Sequence, residues 1–248
     1  MRFDVLTLFP ELFEPFFKNG ITRRAYETGL VDVHLHNPRD FAEGNYKRVD
    51  DRPFGGGPGM VMMPEPLLAA LQAAQRQRSQ PAPVLLFTPT GKPFTHAMVE
   101  HWAQSQGAVL ICGRYEGIDQ RFINACVDEE YSLGDFVLSG GELPAITLLD
   151  AVARLQPGVL GDEDSHHLDS FNPALDGLLD CPQYTRPESW QGETVPEVLL
   201  SGHHAHIEQW RREQRLLLSA SLRPDLIEKA RSAGRLTASD EKLLNQLF

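Results

Sequence analysis

Over the first two thirds of the chain, short apolar β-rich runs alternate with stretches of helical spacing. The runs Phe3–Leu8, Val31–His36, Val84–Phe87, Val109–Cys112 and Glu130–Leu133 predict strands. Between them, apolar positions recur at helical spacing over Pro10–Lys18, Pro66–Arg78, Thr95–Ser105 and Ile118–Ala125. Pro10 and Pro66 suit first-turn positions, where a missing N–H costs nothing. The segments VLLF and AVLIC are apolar without a break, as strands covered on both faces are. Strand–helix–strand alternation of this kind predicts an α/β fold built on a parallel sheet.

A further helical run spans Leu143–Leu155, and then the pattern lapses. Residues 157–182, PGVLGDEDSHHLDSFNPALDGLLDCP, are rich in Gly, Asp, Ser and Pro with few periodic apolar positions, which predicts a functional loop or a linker. Helical spacing resumes over Gly202–Ser219, again from Pro224, and over Ala238–Leu247. The predicted organisation is an α/β domain over 1–160, a flexible linker over 161–175 and a small all-helical domain over 176–248.

Composition narrows the class. Of 248 residues 42% are hydrophobic and 23% charged, an ordinary folded composition that excludes wholesale disorder. No apolar run approaches the roughly 18–20 residues of a membrane span, and Met1-Arg2-Phe3-Asp4 places an acid where a signal peptide has its apolar core. The expectation is a cytoplasmic protein. Cys112, Cys126 and Cys181 are odd in number and far apart, which speaks against a disulfide framework or a thiolate zinc site.

Charge adds a constraint on partners. Lys plus Arg is 23 and Asp plus Glu is 34, a net of −11, which excludes indiscriminate coating of nucleic acid. The charge is uneven, however: residues 201–235 hold seven basic and four acidic side chains, with His203, His204 and His206 beside them. A local basic surface is compatible with an acidic whole.

Three glycine-dense segments carry the candidate chemistry. Gly55-Gly56-Gly57-Pro58-Gly59-Met60 follows Lys47, Arg48 and Arg52 and lacks the Lys-Ser/Thr of a phosphate-binding loop. It reads either as a turn or as bare backbone that an RNA phosphate or base can approach. Gly113-Arg114-Tyr115-Glu116-Gly117 directly follows the AVLIC strand, and the end of a parallel strand is where α/β sheets place ligands. Chain reversal alone does not call for Arg, Tyr and Glu between two glycines. Ser132 to Glu142, SLGDFVLSGGE, sets two Gly clusters around an apolar stretch, suiting a backbone-lined pocket for a flat heterocycle. Neither of the last two is G-x-G-x-x-G, which weakens a nicotinamide-dehydrogenase reading.

GRYEGIDQR at 113–121, GDFVLSGGELPA at 134–145, DSF at 169–171, the GGGPGM loop, LLDCPQYTRP at 178–187 and VPEVLLSGHH at 195–204 together resemble the bacterial tRNA (guanine-N1) methyltransferases of the SPOUT class. The resemblance implies a sheet whose C-terminal part is threaded as a trefoil knot, an exception to the rule that chains do not thread loops. It implies methylation of N1 of guanosine 37, beside the anticodon, with S-adenosylmethionine as donor. It places the donor against Phe87, Thr88, Pro89, Gly113, Tyr115 and Glu116, then Leu133, Gly134, Asp135, Phe136, Val137, Leu138, Gly140, Gly141 and Pro144. The family commonly carries Tyr where this chain has Phe136.

The same resemblance assigns the base that removes the N1 proton to Asp169 and the positive group near O6 to Arg154, with Glu116 as an orienting carboxylate. It implies a homodimer with the active site at the interface, tRNA as partner, and an association with magnesium (Mg2+) for which no ligands are assigned. Arg211, Arg212, Arg215, Lys229, Arg231 and Arg235 are the candidate contacts to the anticodon-stem backbone. Trp190 and Trp210 are read as packing residues, and the three His as surface groups. The alternatives are another SPOUT activity such as ribose 2′-O-methylation, which needs no base at Asp169, and a non-catalytic RNA-binding module, which needs no donor pocket.

Overall fold

The computed structural model describes residues 1–161 and 165–246. The acidic linker residues Asp162, Glu163 and Asp164, and the predicted helix end at Leu247, lie outside the described residues. The chain divides into two compact units, Met1–Gly161 and Asp162–Phe248. Among the described residues no helix is long and apolar enough to cross a membrane.

The first unit is a five-stranded sheet: β1 (Arg2–Leu6), β2 (Asp32–His36), β3 (Val84–Pro93), β4 (Val109–Ile111) and β5 (Glu129–Ser132). All pairings are parallel and the order is β2-β1-β4-β3-β5. Side chains alternate between two buried layers, because successive strand residues point to opposite faces. Phe3, Val5, Leu85, Phe87, Leu110, Cys112 and Tyr131 enter one layer; Leu6, Val84, Leu86, Val109 and Ile111 enter the other. VLLF and AVLIC are thus continuous apolar runs because both of their faces are covered.

Most of the cover comes from α1 (Pro64–Arg76), α2 (His96–Ala103), α3 (Gln120–Cys126) and α4 (Glu142–Arg154). Leu67, Ala70, Leu71 and Ala74 form the buried stripe of α1, packed in the second layer beside Phe122 of α3. Val99 and Trp102 of α2 share the first layer with Ala145, Leu148, Leu149 and Val152 of α4. Burying each such Leu contributes about 1.5–3 kcal/mol.

Three local differences from the sequence reading have physical causes. Helix α1 begins at Pro64 rather than Pro66, since Pro64 occupies the first-turn position behind an extended Met63. The predicted helix over 10–18 breaks into a 3-10 turn, Pro10–Leu12, and a short helix, Glu14–Lys18. A continuous helix would put Pro15 in its interior, so the helix restarts with Pro15 in the first turn. Finally, β3 runs on to Pro93 past an irregularity between Phe87 and Lys92, which lifts residues 88–91 out of the ladder.

The path after β5 positions the site. From the sheet edge the chain returns past β3: the Gly141 N–H donates to the Gly113 carbonyl at 2.9 Å, and the Thr7 hydroxyl donates to Glu142 at 2.9 Å. Helix α4 therefore starts at the carboxyl ends of β4 and β1, two strands away from β5.

The second unit packs α5 (His204–Leu222), α6 (Pro224–Ser232) and α7 (Ala238–Leu244) around Leu178, Leu216, Leu226, Ile227, Ala230 and Leu244. It also carries a two-stranded hairpin, Ser189–Trp190 with Glu193–Thr194, so it is not wholly helical. Trp190 stands on that hairpin 64% exposed instead of packed. Much of the expected basic face is engaged within the unit. Arg212 binds Asp176 at 2.5 Å and Asp240 at 3.0 Å, and buried Arg215 lies 3.5 Å from Asp180. Arg211 pairs with Glu208 and Lys229 with Asp225, while Arg231 pairs with Glu228 and Glu241.

Candidate active site

The carboxyl ends of β3, β4 and β5 open into three loops that enclose one cavity of about 590 Å³. Phe87 to Thr90 form one wall and Gly113 to Ile118 a second; Ser132 to Gly134 and Phe136 to Gly141, with Pro144, form the third. The carboxyl ends of parallel strands are the general ligand position of open α/β sheets. Of the residues expected around the donor, Phe87, Thr88, Pro89, Gly113, Tyr115, Glu116, Leu133, Gly134, Phe136, Val137, Leu138, Gly140, Gly141 and Pro144 all line this cavity. Asp135 does not. The Phe136 N–H donates to the Gly134 carbonyl at 2.9 Å, closing a tight turn that leaves Asp135 as its exposed corner.

Glycine is required at the crossing of the third loop over β4. A Cβ on Gly141 would lie 2.7 Å from Cys112 Cα and 2.9 Å from the Gly113 nitrogen, both backbone atoms that cannot give way. On the second loop, Tyr115 adopts φ 60°, a left-handed conformation unusual for a residue with a side chain. That loop is stitched to the GGGPGM segment: the Glu116 N–H donates to the Met60 carbonyl and the Met62 N–H to the Gly117 carbonyl, both at 2.9 Å. The Glu116 carboxylate occupies the space a Cβ on Gly59 would need. The glycine-rich segment is therefore part of the cavity's support as well as a turn.

The polar groups around the cavity are few and fixed. Glu142 is 1% exposed, yet its carboxylate accepts from Thr7 and lies 2.9 Å from Arg114 Nε, whose N–H is turned off the line to the oxygen. Arg114 also donates to the Ser139 carbonyl at 3.2 Å, and its guanidinium lies over the Phe9 ring, 4.4 Å from the centroid. Burial, reinforced by Glu142 and opposed by Arg114, pushes the Cys112 thiol well above its usual range, so it is an inert neutral group. Tyr131 donates to Glu129 at 2.5 Å and accepts from Trp102 at 3.3 Å; burial and then the Glu129 bond push its hydroxyl up to about 12. Thr90 donates to Glu130 at 3.2 Å, adding a carboxylate to the cavity wall.

Arg154 and Asp169 belong to different units. Arg154 ends α4, half-buried. Asp169 follows the 3-10 turn Ser165–Leu168, in a turn where the Asn172 N–H donates to its carbonyl at 3.2 Å and the Asn172 side chain donates to the His166 carbonyl at 3.0 Å. Ser170 accepts from the Asp180 N–H at 2.9 Å, and Phe171 adopts φ 72°. Sequence reasoning marked Arg114 within the GRYEG loop without giving it a role, and gave Glu130 and Glu142 none. Their signal was a charged side chain set between glycines, or on an apolar strand or helix, at the end of a parallel strand.

A parallel α/β unit with a backbone-lined pocket at its strand ends, followed by a helical unit, defines a class of ligand-binding enzymes. The family model described as tRNA (Guanine-1)-methyltransferase TrmD matches residues 1–229. A tRNA (guanine-N(1)-)-methyltransferase of Albidiferax ferrireducens is 70% identical over 244 residues, 98% of each chain. The proteins of the same description from Bordetella pertussis and Janthinobacterium sp. are 58% and 56% identical, covering all of this chain and 98% and 100% of theirs. The chain belongs to the TrmD family of tRNA (guanine-N1)-methyltransferases.

Proposed function

We propose that this protein methylates N1 of guanosine 37 in tRNA, using S-adenosylmethionine as donor. The observation that carries this reading is the cavity at the ends of β3, β4 and β5, lined by the motif residues of a family whose match spans residues 1–229. The cavity fits such a donor: apolar Leu133, Val137 and Leu138 offer faces to a flat heterocycle, bare glycine backbone offers N–H and carbonyl groups to its edge, and Glu116 and Glu130 offer negative charge to a cationic ligand. Phe136 supplies a ring face without a hydroxyl.

When bound, the donor supplies an electrophilic methyl on a positively charged sulfur. The chain's task is the acceptor. N1 of guanine carries a proton and is a poor nucleophile near neutral pH. Asp169 accepts that proton, Arg154 stabilises the negative charge that develops on O6, and the bond from N1 to the methyl carbon forms as the carbon–sulfur bond breaks, leaving a neutral thioether. Glu116 orients the donor so that carbon and nitrogen meet in line.

In this reading residues 1–160 are the donor-binding domain, 161–175 a linker that carries Asp169, and 176–248 the tRNA-binding domain. The return of the chain from β5 past β3 to the end of β4 supports the trefoil knot that the family resemblance implies. The enzyme acts in the cytoplasm as a homodimer whose subunits share the active site. The exposed apolar side chain Leu143, next to the cavity wall, with Phe9 and Leu12 near the end of β1, supports the dimer. Among the described residues no group of three or more His, Cys, Asp or Glu converges, and the association with magnesium is carried over from the resemblance without ligands.

The test is methyl transfer from labelled S-adenosylmethionine to a tRNA transcript with guanosine at position 37, beside one with adenosine there. Label on N1 in the first and none in the second is expected. Label on a ribose hydroxyl, or on neither transcript, would overturn the assignment.

A further inference from the structure

Arg114 is the residue of the GRYEG motif that neither the base nor the orienting carboxylate accounts for. Its guanidinium touches three things at once. It lies 2.9 Å from the carboxylate of Glu142, the first residue of α4; it donates at 3.2 Å to the carbonyl of Ser139, on the third cavity loop; and it rests on the ring of Phe9, just past the end of β1. Glu142 is in turn fixed by the Thr7 hydroxyl. The arrangement joins the ends of β1 and β4 to the last residues of the 133–141 loop, the cavity wall that leads into α4.

The loop has been fitted to this side chain. A Cβ on Gly140 would collide with the Nε, Cδ and Cζ atoms of Arg114, while φ at Gly140 lies outside the left-handed region that favours glycine. A side chain at 140 would therefore have to displace the guanidinium, whereas the backbone conformation there would accept one. A buried carboxylate such as Glu142 is tolerated only beside a matched cation and donor, and losing one partner leaves a costly unpaired charge. Held beside Glu142, the guanidinium ties the first residue of α4 to the Ser139 carbonyl and so to the loop.

We propose that Arg114 is a positioning residue for the methyl donor: through Glu142 and Ser139 it clamps the 133–141 loop into the shape that binds S-adenosylmethionine. The proposal rests on reading the cavity as the donor pocket. Without the clamp the loop samples other arrangements, and donor affinity falls by the fraction of time it is misshapen.

The test is a double-mutant cycle on the full chain, read as the Kd for S-adenosylmethionine by calorimetry. Arg114→Ala is expected to weaken binding on the order of tenfold to a hundredfold, the loss that removing a charge-assisted hydrogen bond brings. Gly140→Ala alone weakens it as well, because the new methyl meets the guanidinium. In the Arg114→Ala background Gly140→Ala adds little, because the obstacle is gone. Additive losses would overturn the clamp. Should Arg114→Ala not fold, Glu142→Gln decides, since it keeps a group to accept from Thr7: a weaker Kd and faster hydrogen exchange concentrated in amides 133–141 are expected. Unchanged exchange with unchanged Kd would overturn the proposal. A wild-type protein that fails to bind S-adenosylmethionine would sink the donor-pocket reading together with the clamp, whereas donor binding with an additive cycle sinks the clamp alone.

Discussion

Two aspartates show how far environment decides what a carboxylate does. Asp4 sits on β1, fully buried. Burial by itself would raise its pKa, but His36 at 2.8 Å, Arg2 at 2.7 Å and Arg78 at 2.6 Å together outweigh it and hold the carboxyl well below the ordinary range. A carboxyl depressed in the folded state stabilises the fold above its unfolded value near 4 and loses that contribution as pH falls toward the folded value. Asp4→Asn should cost about 3–5 kcal/mol at neutral pH, because it leaves Arg2 and Arg78 without their counter-charge. It should also flatten the loss of stability between about pH 4 and the acid limit. Urea titrations of both proteins across that range check it, and an unaltered acid limb would remove Asp4 as its cause.

Asp169, the proposed base, stands half-exposed in a turn of the second unit. In the proposed role of base, its loss should be felt in turnover alone. Asp169→Asn is expected to lower single-turnover methyl transfer roughly 10²–10⁴-fold, the usual range for a general base, while the Kd for S-adenosylmethionine stays within about twofold. Transfer within a few-fold of wild type would transfer the role to another group.

At the scale of elements, the site depends on where α4 begins. Its start at the end of β4 demands close approach, and Gly141 permits it. Gly141→Ala should push the 133–141 loop away from Cys112, removing measurable donor binding and lowering the melting temperature of the α/β unit. Calorimetry and thermal unfolding check both; retained binding would mean that the backbone contact can relax. This close approach was legible only in part. The sequence SGGELPA announced a turn before a helix, and its resemblance supplied the ligand; which atoms forbid a side chain depends on the return path, a non-local feature.

The strands were legible because VLLF and AVLIC leave no polar face to solvent, and the helical stripes because they repeat every three or four residues. Pro15 and Pro64 set boundaries that apolar spacing alone misplaced. The Arg114–Glu142 pair was hidden because its members are 28 residues apart and meet only through the folded sheet. Asp135 was expected in the pocket with its neighbours, since a motif shows which residues are near and not which one a tight turn presents outward.

For the whole molecule, charge and apolar exposure set the terms of assembly. A net charge of −11 faces a polyanionic substrate, and several arginines of the helical unit are bound to its own carboxylates. Docking of tRNA thus relies on surface that is basic only locally, and on shape. The α/β unit, in contrast, leaves Leu143 57% exposed beside the cavity, with Phe9 and Leu12 near the end of β1 also open. An apolar surface around a functional cavity is what a self-complementary twofold interface covers. Leu143→Asp, which places a charge on that surface outside the cavity wall, should convert a dimer into a monomer in sedimentation while leaving the far-UV spectrum unchanged. Methyl transfer per chain should then fall, and recover as protein concentration rises and the dimer re-forms. Full activity in a monomeric Leu143→Asp protein would mean that each chain holds a complete site. A wild-type chain that sediments as a monomer would leave the exposed apolar side chains to be covered by tRNA instead.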